Sequence, residues 1–236
     1  MKNKIVAIHQ PNFFPWLGFF DKICRADVFI ILDDVQFPKK GGTWTNRVKL
    51  EISGNAHWVT AVVDRDYHGV RSISEMEFQK QNPWRDKMVK SIEQNYRKHP
   101  FFDSVMDCIK GLITNPENNV AEYNLHSIIT ILQKLDLGSI ELFRSSQMEH
   151  IGESNELLCS LTSGVGGNIY MCGGGAEGYQ DEDVFKSKGI ELQFQDFRHP
   201  EYSQKNKGTF IAGLSIIDTI MNCGWEGTSE LLLSNS

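Results

Sequence analysis

The chain has 236 residues, 40% of them hydrophobic and 23% charged, which suits one large globular domain or two small ones. The formal net charge of −6 argues against a nonspecific nucleic-acid coat, and no apolar run approaches the length of a transmembrane helix. Lys2 and Lys4 are not followed by a secretory apolar segment, so the expected location is the cytoplasm. Cys24, Cys108, Cys159, Cys172 and Cys223 are odd in number and include no CxxC pair. Neither a disulfide framework nor a metal site is expected from them.

Ile5 to Ile8 predicts a short buried strand. It runs into His9-Gln10-Pro11, where proline removes a backbone donor and holds Gln10 extended. Pro15 repeats the constraint and suits the first turn of a helix carrying Leu17, Phe20 and Ile23. His9, Gln10 and Asn12 therefore fall in a stiff loop after a strand and before a helix N-terminus. In open α/β sheets ligands bind there, and helix N-termini favour anions. The plainer reading is a proline-rich turn whose phenylalanines fill the core.

Val28 to Leu32 reads as a second buried strand ending in Asp33-Asp34, which makes a βαβ unit with parallel strands. The stretch from Val35 to Arg47 holds three cations and Gly41-Gly42, and also offers Gln36 and Asn46. It could close over an anion or form a solvated hairpin. Arg47 is the preferred phosphate or carboxylate ligand, because a guanidinium matches those groups with two aligned bonds; Lys39 is a weaker candidate. Val48 to Ile52 and His57 to Val63 read as strands about a Ser53-Gly54-Asn55 turn, and Ile73 to Phe78 as a short strand. From about 82 to 136 the spacing is helical, with breaks at His99-Pro100 and Asn115-Pro116. This segment reads as scaffold.

The last third returns to α/β. Strands are expected at Ile140 to Phe143, Asn168 to Cys172 and Ile190 to Phe194, with a helix through Leu157, Leu158 and Leu161. The second of these strands enters Gly173-Gly174-Gly175, where backbone amides could approach a ligand. Cys172 could be a nucleophile only beside a base; a buried structural thiol is the preferred reading. The third leads to His199-Pro200, with Tyr202 and Gln204 nearby. A helix from Phe210 to Cys223 carries Ser215 and Asp218 in an apolar run, where each needs a partner. The tail after Trp225 is expected to be loose. The order predicts one α/β domain over 1–236, with a partly parallel sheet and a helical middle segment. His9, Asp33 or Asp34, Arg47 and His199 are expected to line one cleft.

HQPNFFPWLGFFDKI, LDDVQF, Asn46-Arg47, the HPEY-Q run and LSIID together resemble the WbqC-like family, nearly end to end and in the same order. That family occurs among genes for bacterial surface polysaccharides, including O-antigen. The resemblance implies modification of a sugar precursor, by N-acylation or aminoacylation of an amino sugar. Where the family shows Ser-Gly-Pro after the late strand, this chain has Cys172-Gly173-Gly174. A more distant likeness to HIGH-type nucleotidylyl transferases and adenylate-forming amide ligases implies a Rossmann-like sheet, although only His9 stands where they carry paired histidines.

Two function classes follow. In the first, an enzyme forms an amide on a nucleotide-linked amino sugar, with an acyl or aminoacyl donor supplied as a thioester or as an adenylate made from ATP. His9 or His199 would be the base, and Asp33 or Asp34 would orient it. Arg47, Gly173 and Gly174 would hold the diphosphate. Gln10, Asn12, Gln36, Lys39, Asn46, Tyr202 and Gln204 are the remaining candidate substrate contacts. In the second, the protein binds the sugar nucleotide, or an assembly partner, without turnover. No cofactor is firmly implied beyond the donor and, in the ligase variant, ATP.

Overall fold

β1 (Ile5–His9) is the middle strand of a five-stranded sheet in a computed structural model that describes residues 3–137, 140–174, 180–205 and 208–234. β2 (Val28–Ile31) and β6 (Ile169–Cys172) pair with it on either side. β5 (Glu141–Arg144) lies outside β2 and β7 (Glu191–Phe194) outside β6. Every pairing in this sheet is parallel. Counted in chain order, its strands run 3-2-1-4-5, the doubly wound Rossmann-like order.

Side chains alternate across the sheet because a strand has a period of two. Leu142, Phe29, Ala7 and Met171 form one row across neighbouring strands, and all face the larger core. That core contains α1 (Leu17–Cys24) and α7 (Ile216–Leu233), and the middle helices α2 (Trp84–Tyr96), α3 (Phe102–Ile113) and α4 (Val120–Leu135). Val28, Val6, Tyr170 and Leu192 form the next row and face a smaller core under α5 (Asn155–Gly164) and α6 (Glu182–Ser187). Both faces are covered, which is why β1, β2 and β6 read as continuous apolar runs.

The loop from His9 to Trp16 is fastened from three directions. The Phe13 amide donates to the Trp44 carbonyl at 2.7 Å. Asn124 on α4 donates to the carbonyls of Pro11 and Thr45 at 2.9 and 2.8 Å. Ser215 caps α7 through the Ile217 amide and donates its hydroxyl to the Phe14 carbonyl at 2.8 Å. These bonds hold Phe14 at φ 41°, a left-handed conformation that costs a non-glycine residue about 1–2 kcal/mol. The Phe13 ring also packs against Trp84, Tyr123 and Phe78, with centroids 5.6, 5.9 and 6.4 Å away. Burying such a ring stabilises the fold by about 1.5–3 kcal/mol. The helical middle segment thus braces the loop from behind.

β3 (Arg47–Ile52) and β4 (Asn55–Thr60) form a separate antiparallel hairpin about Ser53 and Gly54, both left-handed. Three expectations need correction. Ile73 to Phe78 forms a 3-10 turn at Ile73–Glu75, set by a Ser72–Glu75 capping box, and then a β-bridge residue at Phe78. The last helix starts at Ile216, where Ser215 caps it, rather than at Phe210. It also continues past Trp225 to Leu233, because Thr228 and Leu232 are buried. The run bends at Gly224, whose φ of 71° suits glycine and where a Cβ would lie 2.7 Å from the Phe101 ring.

Candidate functional site

The chain order reverses between β1 and β6, and a crevice opens there at the carboxyl ends of the strands. It is a cavity of about 510 Å³. The HQPNFFPWLGFFDKI stretch alone contributes His9, Asn12, Trp16, Gly18, Phe19 and Lys22 to its wall. Tyr170, Gly173 and Gly174 come from β6 and the turn after it, Gln195 and Phe197 from the segment after β7, and Trp44 from the loop before β3.

His9 Nδ1 lies 3.0 Å from the Gln10 carbonyl. A carbonyl only accepts, so Nδ1 carries the proton and Nε2 is the ring's acceptor. Burial, and then the charge of Lys22, push the His9 pKa down to about 4, against the pull of the Gln10 bond. The imidazole is neutral at physiological pH. Phe19 meets it edge-on at 5.1 Å.

Lys22 is 3% exposed, and its Nζ donates to the Ile8 carbonyl at 3.3 Å. Among the described residues no carboxylate forms an ion pair with it. Burial lowers its pKa to about 8, with Cys172 acting in the opposite sense. It remains mostly protonated near neutrality. A buried cation on a cavity wall, with one carbonyl for company, favours an anionic ligand.

Gly173 and Gly174 face open space, since a Cβ on either would meet nothing within 4 Å. Among the described residues nothing fills that space, which lies on the cavity wall. Gly175 lies outside the described residues. Cys172 is buried, with its thiol on the Gln193 carbonyl at 3.5 Å. Gln195 is fixed by bonds to Gly18 and Asp21 at 2.8 and 2.7 Å. At the mouth, Trp44 meets Trp58 at 4.9 Å, and the Arg47 guanidinium lies 4.2 Å over the Trp58 ring.

The other expected residues lie elsewhere. Asp33 ends β2 in a closed network. Its Oδ1 accepts from the Ser146 amide at 3.0 Å and the Ser145 hydroxyl at 3.2 Å. Its Oδ2 accepts from the Ser146 hydroxyl and from Arg144 Nε and Nη2, at 2.9, 2.8 and 2.7 Å. Asp34 accepts from Ser145 at 2.5 Å and pairs with His150 at 2.6 Å. Asn46 spends its side chain on the Thr43 amide and the Ala61 carbonyl. Gln10 takes part through the carbonyl that fixes His9. Gln36 and Lys39 are exposed, and the Lys39 carbonyl accepts from Arg65.

His199 stands behind the cavity wall, stacked on Trp16 at 6.3 Å and edge-on to Phe197 at 5.7 Å. Its Nδ1 donates to the Pro200 carbonyl, and burial lowers its pKa. Tyr202 and Gln204 turn away to Asp218, at 2.7 and 3.3 Å. Of the four residues expected to share one cleft, His9 alone lines this cavity, while His199 touches its wall through Trp16 and Phe197.

Sequence reasoning missed Lys22, Trp44 and Gln195 as wall residues. For Lys22 the sequence carries no signal: with Gly18, Asp21 and Arg25 it falls on one polar stripe of α1, which reads as a solvated face.

A protein-family model described as the WbqC-like protein family matches residues 10–230. A curated relative, an uncharacterized protein of Mycobacterium tuberculosis designated Rv1507c, is 28% identical over 229 residues, covering 97% of each chain. No solved structure matches.

Proposed function

Since the chain belongs to the WbqC-like family, which is associated with O-antigen and polysaccharide biosynthesis, we propose that the β1/β6 cavity binds a nucleotide-linked amino sugar and transfers an acyl or aminoacyl group to its amine. One observation carries this reading: neutral His9 and the buried cation Lys22, which has no carboxylate partner among the described residues, line the same cavity at the sheet's switch point. Lys22 meets a phosphate of the substrate. His9 Nε2 accepts the proton of the attacking amine as its nitrogen bonds to the donor carbonyl carbon. The bond from that carbon to the thioester sulfur or adenylate oxygen breaks, and the proton passes to the leaving group. An anion on Lys22 also cancels part of the charge that holds His9 down, so binding strengthens the base. The aromatic walls of Trp16, Trp44 and Phe197 exclude water from the reacting amine.

The low basicity of free His9 favours one second reading, in which the same cavity binds the sugar nucleotide without turnover. Calorimetry with nucleotide-linked amino sugars and turnover assays with acyl thioesters or with amino acid plus ATP separate the two. The enzyme reading expects His9→Ala to bind but not turn over, and Lys22→Met to lose binding. Binding unaffected by Lys22→Met would remove this cavity from the function.

A further inference from the structure

Away from that cavity, three chemistry-bearing side chains from distant parts of the chain meet in the interior. Glu51 lies on β3, His99 in the link between α2 and α3, and Asp218 in the first turn of α7. All three are buried, and a carboxylate oxygen of each acid and a ring nitrogen of His99 lie within 4.8 Å of one another.

The bonding around them is incomplete in a directed way. His99 Nδ1 is 3.1 Å from the Tyr96 carbonyl, so it carries the proton and Nε2 keeps its lone pair. That Nε2 is buried without a hydrogen-bond partner, and so is Glu51 Oε2. His99 and Glu51 are 7% and 8% exposed, so water does not serve either side chain freely. The Asp218 carboxylate is oriented by the hydroxyls of Tyr96 and Tyr202, at 3.0 and 2.7 Å, and by the Gln204 amide at 3.3 Å. Native proteins rarely leave two neighbouring buried acceptors without a donor. A divalent cation serves both, and takes Asp218, already held by Tyr96, Tyr202 and Gln204, as a third ligand.

We infer that Glu51, His99 and Asp218 hold a divalent cation of the zinc class, which ties the β3–β4 hairpin to the helical segment and to α7. A neutral imidazole nitrogen and two carboxylate oxygens are ordinary ligands for it, at about 2.0–2.2 Å each. Tetrahedral ligands at that distance stand about 3.4 Å apart, so closing atoms that lie within 4.8 Å onto such an ion needs a contraction of up to about 1.4 Å in the longest separation. The two carboxylates neutralise the ion, and the two tyrosine hydroxyls fix the orientation of one of them, as outer partners of metal sites do. Residues this far apart in sequence carry no spacing signature, so only the fold brings them together.

The test uses the full chain, purified without chelator and then stripped. Zn²⁺ added to the stripped protein should bind with a stoichiometry near one and raise the midpoint of thermal unfolding, and EDTA should reverse the shift. Glu51→Gln and His99→Gln should each weaken Zn²⁺ binding at least tenfold, while Glu77→Gln on the surface leaves it unchanged. If the variants do not fold, Co²⁺ added to the wild-type protein should shift the ring resonances of His99 before those of any other histidine. Zn²⁺ affinity unchanged in both variants, Co²⁺ shifts confined to other histidines, or no uptake by the wild-type protein would each overturn the site.

Discussion

Two places on one sheet edge carry charge, and they are built in opposite ways. At the ends of β2 and β5, Asp33 accepts from Arg144, Ser145 and Ser146 until its lone pairs are used. At the ends of β1 and β6, among the described residues, Lys22 has one carbonyl partner and His9 keeps a free acceptor. A satisfied carboxylate is a fastening, because a ligand could bind it only by displacing stronger partners. An unsatisfied cation on a cavity wall is stability withheld from the fold and available to a ligand. Acids at a strand end therefore do not mark a site by themselves; the position of the chain reversal and the state of the hydrogen bonds do.

The largest effect that tests this contrast is Arg144→Met. It leaves the fully buried Asp33 carboxylate without its charged partner, and removing one member of a buried pair costs about 3–5 kcal/mol. Urea unfolding should show that loss, while the folded protein keeps its affinity for the ligand. Lost affinity at unchanged stability would move the site to β2 and β5.

Lys22→Met should act in the reverse sense. The folded pKa of about 8 lies below the ordinary lysine value, so the unfolded chain holds a proton that the folded protein tends to release. Stability of the wild-type protein should therefore rise as pH climbs from about 8 toward the ordinary lysine value, and the penalty is fully present below that window. A shift of this size corresponds to about 3 kcal/mol. Lys22→Met should be more stable at neutral pH by up to about that amount, lose the alkaline rise, and lose anion binding. A variant that is less stable and binds normally would make Lys22 a structural residue.

His9 gives a smaller effect with its own window. Its folded pKa of about 4 lies below the ordinary histidine value, so protonation favours the unfolded chain as pH falls from about 6.5 toward 4. His9 as a residue is half-buried, and the expected loss is on the order of 2 kcal/mol or less. His9→Gln should flatten that part of the acid unfolding curve. A bound anion should raise the His9 pKa, which NMR titration of the ring with and without ligand would read directly.

How much of this was legible follows from what each feature depends on. Pro11, Pro15 and the apolar runs around them act locally, and the strand–loop–helix entry to the cavity could be read from them. That β1, β2 and β6 are buried was equally readable, because their runs are apolar; which side chain faces which core was not, since such a run shows no alternation. The fate of each strand-end acid was not, since it depends on Arg144 and Ser146, more than a hundred positions away from Asp33. His199 is expected on the His9 cleft, with Tyr202 and Gln204 as substrate contacts, because polar residues after a strand need partners. Their partners proved to be Pro200, Ile211 and Asp218, inside the protein. The role of Ser215, clamping the loop at Phe14, required a helix that closes across almost the whole chain.

Arg47 is the place where the two kinds of region meet, and the effect there is the smallest. The sequence favours it as a phosphate ligand, with a salt bridge to Asp33 or Asp34 as the competing role. Arg144 and His150 take those acids instead. The Arg47 guanidinium lies 4.2 Å over the Trp58 ring, and a Cβ on Gly42 would come within 2.5 Å of its side chain, so glycine leaves the slot in which it lies. Lysine keeps the charge but loses the planar stack, which is worth about 0.5–1 kcal/mol at an exposed ring. Arg47→Lys should therefore lower stability by no more than about that amount and change ligand affinity less than about threefold, since Arg47 does not line the cavity. Calorimetry on the folded variant decides the matter. A tenfold or greater loss of affinity would mean that the ligand runs out of the cavity past Trp44 and reaches the strip at Trp58, so that its second phosphate bonds to Arg47 rather than to the protein's interior cation.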